Sequence, residues 1–255
     1  MIVAARQKGA KMHPLKGKTA VVTGASTGIG REIAVLFAKM GAKVALVGRN
    51  KPKLEETKKL AGNAEIFIAD LRKEAASVAH TILENCGKVD MIVNVAGVWH
   101  NEDKAYYGPR IWETGEEEIK EIMDVGIIAP MLLTKTLLPK MIQQKYGKVI
   151  NISGTFESGA KGWLHYFVSK KAIEQFTIGL AEEVREHEIQ VNCVSPSDTA
   201  TESYMKFYLP AKNVEPFETC MKPKDIAKLV LQFATDEFDF VTGQIVVARN
   251  KNAGN

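Results

Sequence analysis

The chain has 255 residues, of which 45% are hydrophobic and 25% charged. That composition is ordinary for a globular protein and excludes a disordered, collagen-like or disulfide-framework chain. The formal net charge is +4, but Arg6, Lys8 and Lys11 fall within an acid-free stretch of eleven residues at the start. Residues 1–14 therefore read as a basic, flexible tail on a nearly neutral body, residues 15–255 as one domain, and no clustered cationic face points to nucleic acid. No uninterrupted apolar run reaches the length of a membrane helix. The opening Met1-Ile2-Val3-Ala4-Ala5 meets Arg6 too soon for a signal segment. Three widely spaced cysteines, Cys86, Cys193 and Cys220, suggest a reduced, cytoplasmic protein.

Strand and helix signals alternate along the body. A short apolar run at 18–22 stops at Thr23-Gly24, and residues 29–40 follow with helical spacing of Ile29, Ile33, Leu36, Phe37 and Met40. Gly41 ends that helix. A strand at 43–47, a helix opened by Pro52, a strand at 65–69, a helix at 73–85 and a strand at 90–95 come next. A polar segment over 98–116 precedes a long helix at 117–144. A strand at 148–152, a helix reaching about 187 and a strand at 190–194 complete the alternation. Residues 196–222 read as irregular, followed by a helix at 224–234 and a last strand at 244–248. Near-continuous apolar strands between helices imply a doubly wound, Rossmann-type parallel sheet of seven strands in an α/β fold. Ligands of such sheets bind at the carboxyl ends of the strands.

The turn after the first strand reads Thr23-Gly24-Ala25-Ser26-Thr27-Gly28-Ile29-Gly30. The first glycine permits a tight turn, Gly28 lets backbone approach a pyrophosphate, and Gly30 lets the helix pack on the strand. The free N–H groups of the helix start favour phosphate. The same residues match G-x-S-x-G, the nucleophile elbow of α/β hydrolases with Ser26 as nucleophile. That reading lacks the preceding strands of the hydrolase fold and leaves Gly30 unexplained.

Cofactor choice is written after the second strand. The position expected to carry an acid for the ribose 2′-hydroxyl of NAD is Gly48, and Arg49 follows. An arginine without a neighbouring acid suits a 2′-phosphate, so NADP(H) is expected, with NAD(H) second. Asp70 can accept from the adenine amino group or cap the next helix.

Tyr166 and Lys170 stand at i and i+4 on one helical face. A nearby ammonium lowers a tyrosine pKa, which would make Tyr166 a proton donor to a carbonyl oxygen or an acceptor from an alcohol. Ser153, thirteen residues earlier, can hold the same oxygen. Ser195, Tyr208 and Lys212 repeat these spacings, but Pro210 interrupts any helix between the last two. The first set is therefore taken as catalytic. The five histidines show no metal-ligand spacing, so no metal is expected.

With these residues in place, the chain resembles the short-chain dehydrogenase/reductase family in its single-domain form, from about residue 15 to 248. The motifs are Thr23-Gly24-x-x-x-Gly28-Ile29-Gly30, Asn94-Val95-Ala96-Gly97, Ser153, Tyr166-x-x-x-Lys170, and Pro196 followed by Thr201. The resemblance implies NAD(P)-dependent carbonyl–alcohol interconversion with Tyr166 as acid/base and Ser153 positioning the substrate oxygen. Lys170 would bind the nicotinamide ribose and lower the Tyr166 pKa, and Thr201 would contact the carboxamide. The expected cofactor set is Gly24, Ser26, Thr27, Gly28, Ile29, Gly30, Arg49, Asp70, Leu71, Asn94, Ala96, Gly97, Tyr166, Lys170, Pro196 and Thr201. Homodimers or homotetramers built on the helices around 117–144 and 163–187 are also implied.

The chain departs from the family pattern at Val95, at Ser197, and at Ala248-Arg249-Asn250. The family's fourth catalytic residue, an Asn in the long helix, aligns with Gly126. A backbone carbonyl and a local helix distortion can stand in for it, and Gly126→Asn would then raise turnover if the proton relay is weakened. The alternative function is an NADP(H)-binding sensor or partner-binding protein with weak catalysis. The segment 202–220, with Tyr204, Met205, Phe207, Tyr208, Leu209 and Phe217, is expected to join Trp99, Phe156 and Trp163 over a pocket for a bulky apolar carbonyl compound. His165 and Glu157 are candidates to line it.

Overall fold

A computed structural model describes residues 13–101, 103–156, 159–207 and 220–250. The basic tail before residue 13, Glu157, Tyr208, Leu209, Lys212 and Phe217 lie outside the described residues.

Seven parallel strands form one sheet. They are β1 (Thr19–Thr23), β2 (Lys43–Gly48), β3 (Ala64–Ile68), β4 (Met91–Asn94), β5 (Gly147–Ile152), β6 (Ile189–Pro196) and β7 (Ile245–Ala248), in the order β3-β2-β1-β4-β5-β6-β7. The chain order reverses between β1 and β4, whose registers pair Ala20 with Met91 and Val22 with Val93. That reversal opens the crevice in which such sheets hold ligands.

The inner strands β1, β2, β4, β5 and β6 bury both faces because their side chains alternate and helices cover each side. Ala20, Val22, Val44 and Leu46 pack with Ile33 and Phe37 of α1 (Gly28–Lys39) and with Val230 and Phe233 of α8 (Pro223–Ala234). Val21, Ala45 and Val47 face the other way. They join Ala79 and Ile82 of α3 (Leu71–Cys86), Leu133 and Leu137 of α5 (Ala129–Gln144), and Leu180 of α6 (Leu164–Glu183). Each Val, Leu, Ile or Phe among them contributes about 1.5–3 kcal/mol when removed from water.

Local chemistry sets the helix starts. Asn50 caps α2 (Lys51–Ala61) by accepting from Lys53 N at 3.0 Å, and Asp70 caps α3 by accepting from Arg72 N at 3.2 Å. Each such cap stabilises by about 1 kcal/mol. Because Asp70 caps it, α3 begins at Leu71 rather than at residue 73.

Three expectations change. The long helix divides into α4 (Glu116–Met123), a wide π turn over Asp124–Ile128, and α5. Gly126 sits inside that turn, so the distortion expected at the glycine is present. The stretch Glu116–Gln144 is also long and apolar enough on average to cross a membrane, although no uninterrupted apolar run revealed it. Half of its apolar 18-residue window is buried against the fold. Within the irregular segment after β6, Glu202–Phe207 forms a short helix, α7.

Candidate active site

One cavity of about 570 Å³ runs along the carboxyl ends of the strands, within the range of small-molecule sites. Among the residues that line it are Gly24, Ser26, Thr27, Gly28, Ile29, Gly30, Arg49, Asp70, Leu71, Ala96, Gly97, Ser153, Tyr166, Lys170, Pro196 and Thr201. These are all of the expected site residues except Asn94.

Asn94 acts one layer below the cavity. Its Nδ2 donates to Asn151 Oδ1 at 2.8 Å, and Asn151 Nδ2 donates to Thr177 Oγ1 at 2.9 Å. This buried chain ties β4 and β5 to α6, the helix that carries Tyr166 and Lys170. Thr23 does similar work at the end of β1. Its hydroxyl oxygen accepts from Val95 N at 3.0 Å and Ala96 N at 3.1 Å, which fixes the loop after β4 beside the glycine turn.

The glycine turn is close-fitting. A Cβ on Gly30 would stand 2.2 Å from Gly24 O, and one on Gly24 would stand 3.1 Å from Ala96 backbone. Gly28 has a positive φ of 54°, which side-chain-bearing residues rarely adopt. Arg31 braces the turn from behind, donating to Ser26 O at 3.0 Å from Nε and 2.6 Å from Nη2. No hydrogen bond joins the Ser26 hydroxyl to a histidine among the described residues, and nothing here completes a hydrolase triad around it.

An acid already occupies the phosphate cradle. Gly28 N donates to Glu202 Oε2 at 3.0 Å, and Glu202 Oε1 lies 3.7 Å from Arg31. A carboxylate at a helix start is the group that its N–H donors and dipole favour. The cradle therefore accepts an anion, and the residues fit a dinucleotide pyrophosphate. Neither Glu202 nor Thr23 was singled out by sequence as a site residue.

At the adenosine end, Arg49 is half-exposed and lies 3.7 Å from Glu121. Glu121 also lies 3.4 Å from Arg72 and accepts from Tyr106 Oη at 2.7 Å. Asp70 is committed as a cap and binds Arg72 through both carboxylate oxygens, at 3.1 and 3.0 Å from Nε. The Arg72 hydrogen bond holds the Asp70 carboxyl below its usual range, despite partial burial. The helix cap, one of its two expected roles, is present.

At the catalytic end, Ser153 follows β5 directly and its N–H donates to Val194 O at 2.9 Å. Lys170 is buried, and its Nζ donates to Ile152 O at 3.0 Å while standing 5.5 Å from the centre of the Tyr166 ring. A Cβ on Gly97 would come within 3.2 Å of that ammonium, so glycine keeps its path clear. Burial lowers the Lys170 pKa to about 8. Burial also pushes the Tyr166 phenol above its ordinary value, with no offsetting contribution from Lys170. The expected lowering of Tyr166 by Lys170 is thus absent here. The i, i+4 spacing brings the two groups near, but the ammonium points to the Ile152 carbonyl instead of the phenol.

The mouth is aromatic, as expected. Trp163 lies 5.8 Å from Tyr166 and 6.2 Å from Trp99, Phe156 lies 5.9 Å from Tyr166, and Phe207 of α7 lies 6.5 Å from Trp99. His165 does not line it. It is buried against α4, with Nε2 3.0 Å from Glu118 Oε1. A side chain that sequence left unmarked, Glu174, is buried on α6 and accepts from Ser153 Oγ at 2.8 Å.

Comparison with known proteins agrees with this geometry. The short chain dehydrogenase family matches residues 18–210. An uncharacterized oxidoreductase of Thermotoga maritima is 34% identical over 91% of this chain and 95% of its own. A 3-oxoacyl-acyl-carrier-protein reductase of Rickettsia felis is 33% identical over 92% of this chain and 96% of its own. Among solved structures, a putative NAD(P)-dependent gluconate 5-dehydrogenase from Beutenbergia cavernae, with bound NADP at low occupancy, superposes with a TM-score of 0.82. It is 28% identical and covers 92% of this chain and 96% of its own. The glycine cradle, the seven-stranded order and these matches together place the chain in the short-chain dehydrogenase family of oxidoreductases.

Proposed function

We propose that the protein is an NADP(H)-dependent oxidoreductase that interconverts a ketone or aldehyde and its alcohol, with Tyr166 as proton donor and acceptor. The observation that carries this reading is the convergence of Ser153, Tyr166 and Lys170 on the cavity that the glycine cradle also lines.

A dinucleotide would be held by Gly24, Gly28 and Gly30 at its pyrophosphate, by Arg49 at the 2′-phosphate, and by Lys170 and Thr201 towards the nicotinamide. Bound there, it supplies the hydride. The protein supplies orientation and the proton. Burial keeps Tyr166 as the phenol, the form that donates when a carbonyl oxygen gains charge. Ser153 is the second group at that oxygen. Glu202 must leave Gly28 N before a pyrophosphate can take its place, so this acid opposes cofactor entry. The half-exposed Arg49 beside an acid-free Gly48 supports NADP(H) over NAD(H).

Trp99, Phe156, Trp163 and Tyr204 line the outer cavity, which supports a bulky apolar carbonyl substrate. Ile128, Met131 and Leu132 on one face of the π turn and α5, with Leu164 and Val168 of α6, are exposed apolar residues. They support self-association through these helices, which Met131→Glu would weaken in a sedimentation experiment.

The test is oxidation of NADPH and of NADH over a panel of carbonyl compounds ranging from small aldehydes to aryl ketones. Faster turnover with NADPH and with bulky apolar ketones fits the reading. Preference for NADH, or for small charged substrates, contradicts it.

A further inference from the structure

Glu174 lies one turn beyond Lys170 on α6 and is buried. Its Oε1 accepts from Ser153 Oγ at 2.8 Å and from Ser195 Oγ at 3.3 Å. Its Oε2 accepts from Lys171 Nζ at 2.8 Å, and Lys171 is half-exposed on the outer side of the helix. The other titratable groups acting on it are Lys170 on the same helix and Cys193 on β6.

A serine hydroxyl has a single proton to donate. While Glu174 is ionised, that proton is drawn to the carboxylate, and Ser153 presents only lone pairs to the cavity. The reacting oxygen of a carbonyl–alcohol interconversion gathers negative charge and needs donors. The two demands on one proton conflict.

We propose that Glu174 is a positioning residue that sets which way the Ser153 hydroxyl donates. With Glu174 ionised, Ser153 donates inward and is lost as a donor to substrate. Where the partner is a neutral amide instead, its NH₂ donates to Ser153 Oγ, and Ser153 turns its own proton to the substrate oxygen. This rests on the reading of Ser153 and Tyr166 given above.

Glu174→Gln separates the two states. Lys171 can only donate, so the Gln oxygen faces it and the amide NH₂ faces Ser153 and Ser195. The variant is therefore locked in the arrangement that frees the Ser153 proton. The experiment measures kcat and KM for ketone reduction by NADPH, for the wild type, Glu174→Gln, Ser153→Ala and the double variant, with Tyr166→Phe as control.

We expect Glu174→Gln to exceed the wild type in kcat by about 2- to 10-fold, the value of one hydrogen bond gained, with KM for NADPH unchanged. In the Ser153→Ala background the substitution should change nothing. A Glu174→Gln enzyme no faster than the wild type, a gain carried by the KM for NADPH, or an effect that persists without Ser153 overturns the proposal. A Tyr166→Phe enzyme as active as the wild type overturns the parent reading instead.

Discussion

The Ser169 hydroxyl stands 2.9 Å, and its Cβ 3.0 Å, from the point where a Cβ on Gly126 would lie. The π turn of Asp124–Ile128 and the serine of α6 thus fill the space that an asparagine side chain would need. Ser169 Oγ also donates to Tyr166 O at 2.9 Å, so it is held in place beside Lys170 and one turn from Tyr166. Gly126→Asn is therefore not a simple restoration. Overpacking of this kind costs about 1–3 kcal/mol, and at this chain length each kcal/mol lowers Tm by about 2–4 °C. The expected result is a lower Tm and lower turnover, measured by thermal melting and NADPH oxidation, rather than the gain that family pattern alone suggests.

Lys170 gives the protein a pH-dependent stability. Its folded pKa, about 8, lies below the ordinary lysine value of 10.5 because burial disfavours the charge. Between those values the unfolded chain binds more protons than the folded one, so stability rises with pH. Tyr166 has the opposite sign. Its raised pKa means the folded state holds its proton while the unfolded state loses it, and stability falls above pH 10. The cofactor-free protein should gain Tm from about pH 8 to 10 and lose it beyond. Lys170→Met should abolish the rising limb in a series of melts.

On the reading proposed above, Arg49 carries the preference for NADPH. A charge-assisted hydrogen bond of this type is worth about 1.5–3 kcal/mol. Arg49→Ala should raise KM for NADPH by about 10- to 100-fold and leave KM for NADH nearly unchanged. Adding Gly48→Asp should reverse the preference, because an acid there repels a 2′-phosphate and binds a 2′-hydroxyl. Initial-rate kinetics with both cofactors read this directly.

Glu202 holds the Gly28 N–H at 3.0 Å, and on the reading proposed above it opposes cofactor binding. Glu202→Gln weakens that hold without changing the size of the side chain. The dissociation constant for NADP should fall severalfold, and that for adenosine 2′-monophosphate, which has no pyrophosphate, should not move. Titration calorimetry with the two ligands separates the outcomes.

The parts of the site that sequence made legible are those written in local spacing. The glycine turn, Arg49 after β2 and the Tyr166–Lys170 pair each occupy a few consecutive residues, and periodicity places them on the right elements. Contacts made across the fold were not legible. Glu174 meets Ser153 only because α6 packs beside the end of β5, and Glu202 meets Gly28 only because α7 crosses the glycine turn. The direction of the Tyr166 shift was missed for a related reason: spacing puts Lys170 near the phenol but says nothing of the Ile152 carbonyl that claims its ammonium. The π turn was anticipated from Gly126, yet Ser169 as its filler was not. His165 shows the reverse error, a plausible polar residue beside Tyr166 that helix phase turns towards Glu118.

The central claim is that Tyr166 donates the proton in a carbonyl reduction at this cavity. Its most direct test compares wild-type protein and Tyr166→Phe for NADPH oxidation with an aryl ketone, alongside the NADPH dissociation constant. The account predicts a fall in kcat of about 10²- to 10⁴-fold with cofactor binding unchanged. Turnover retained by the phenylalanine variant, with cofactor still bound, would contradict it.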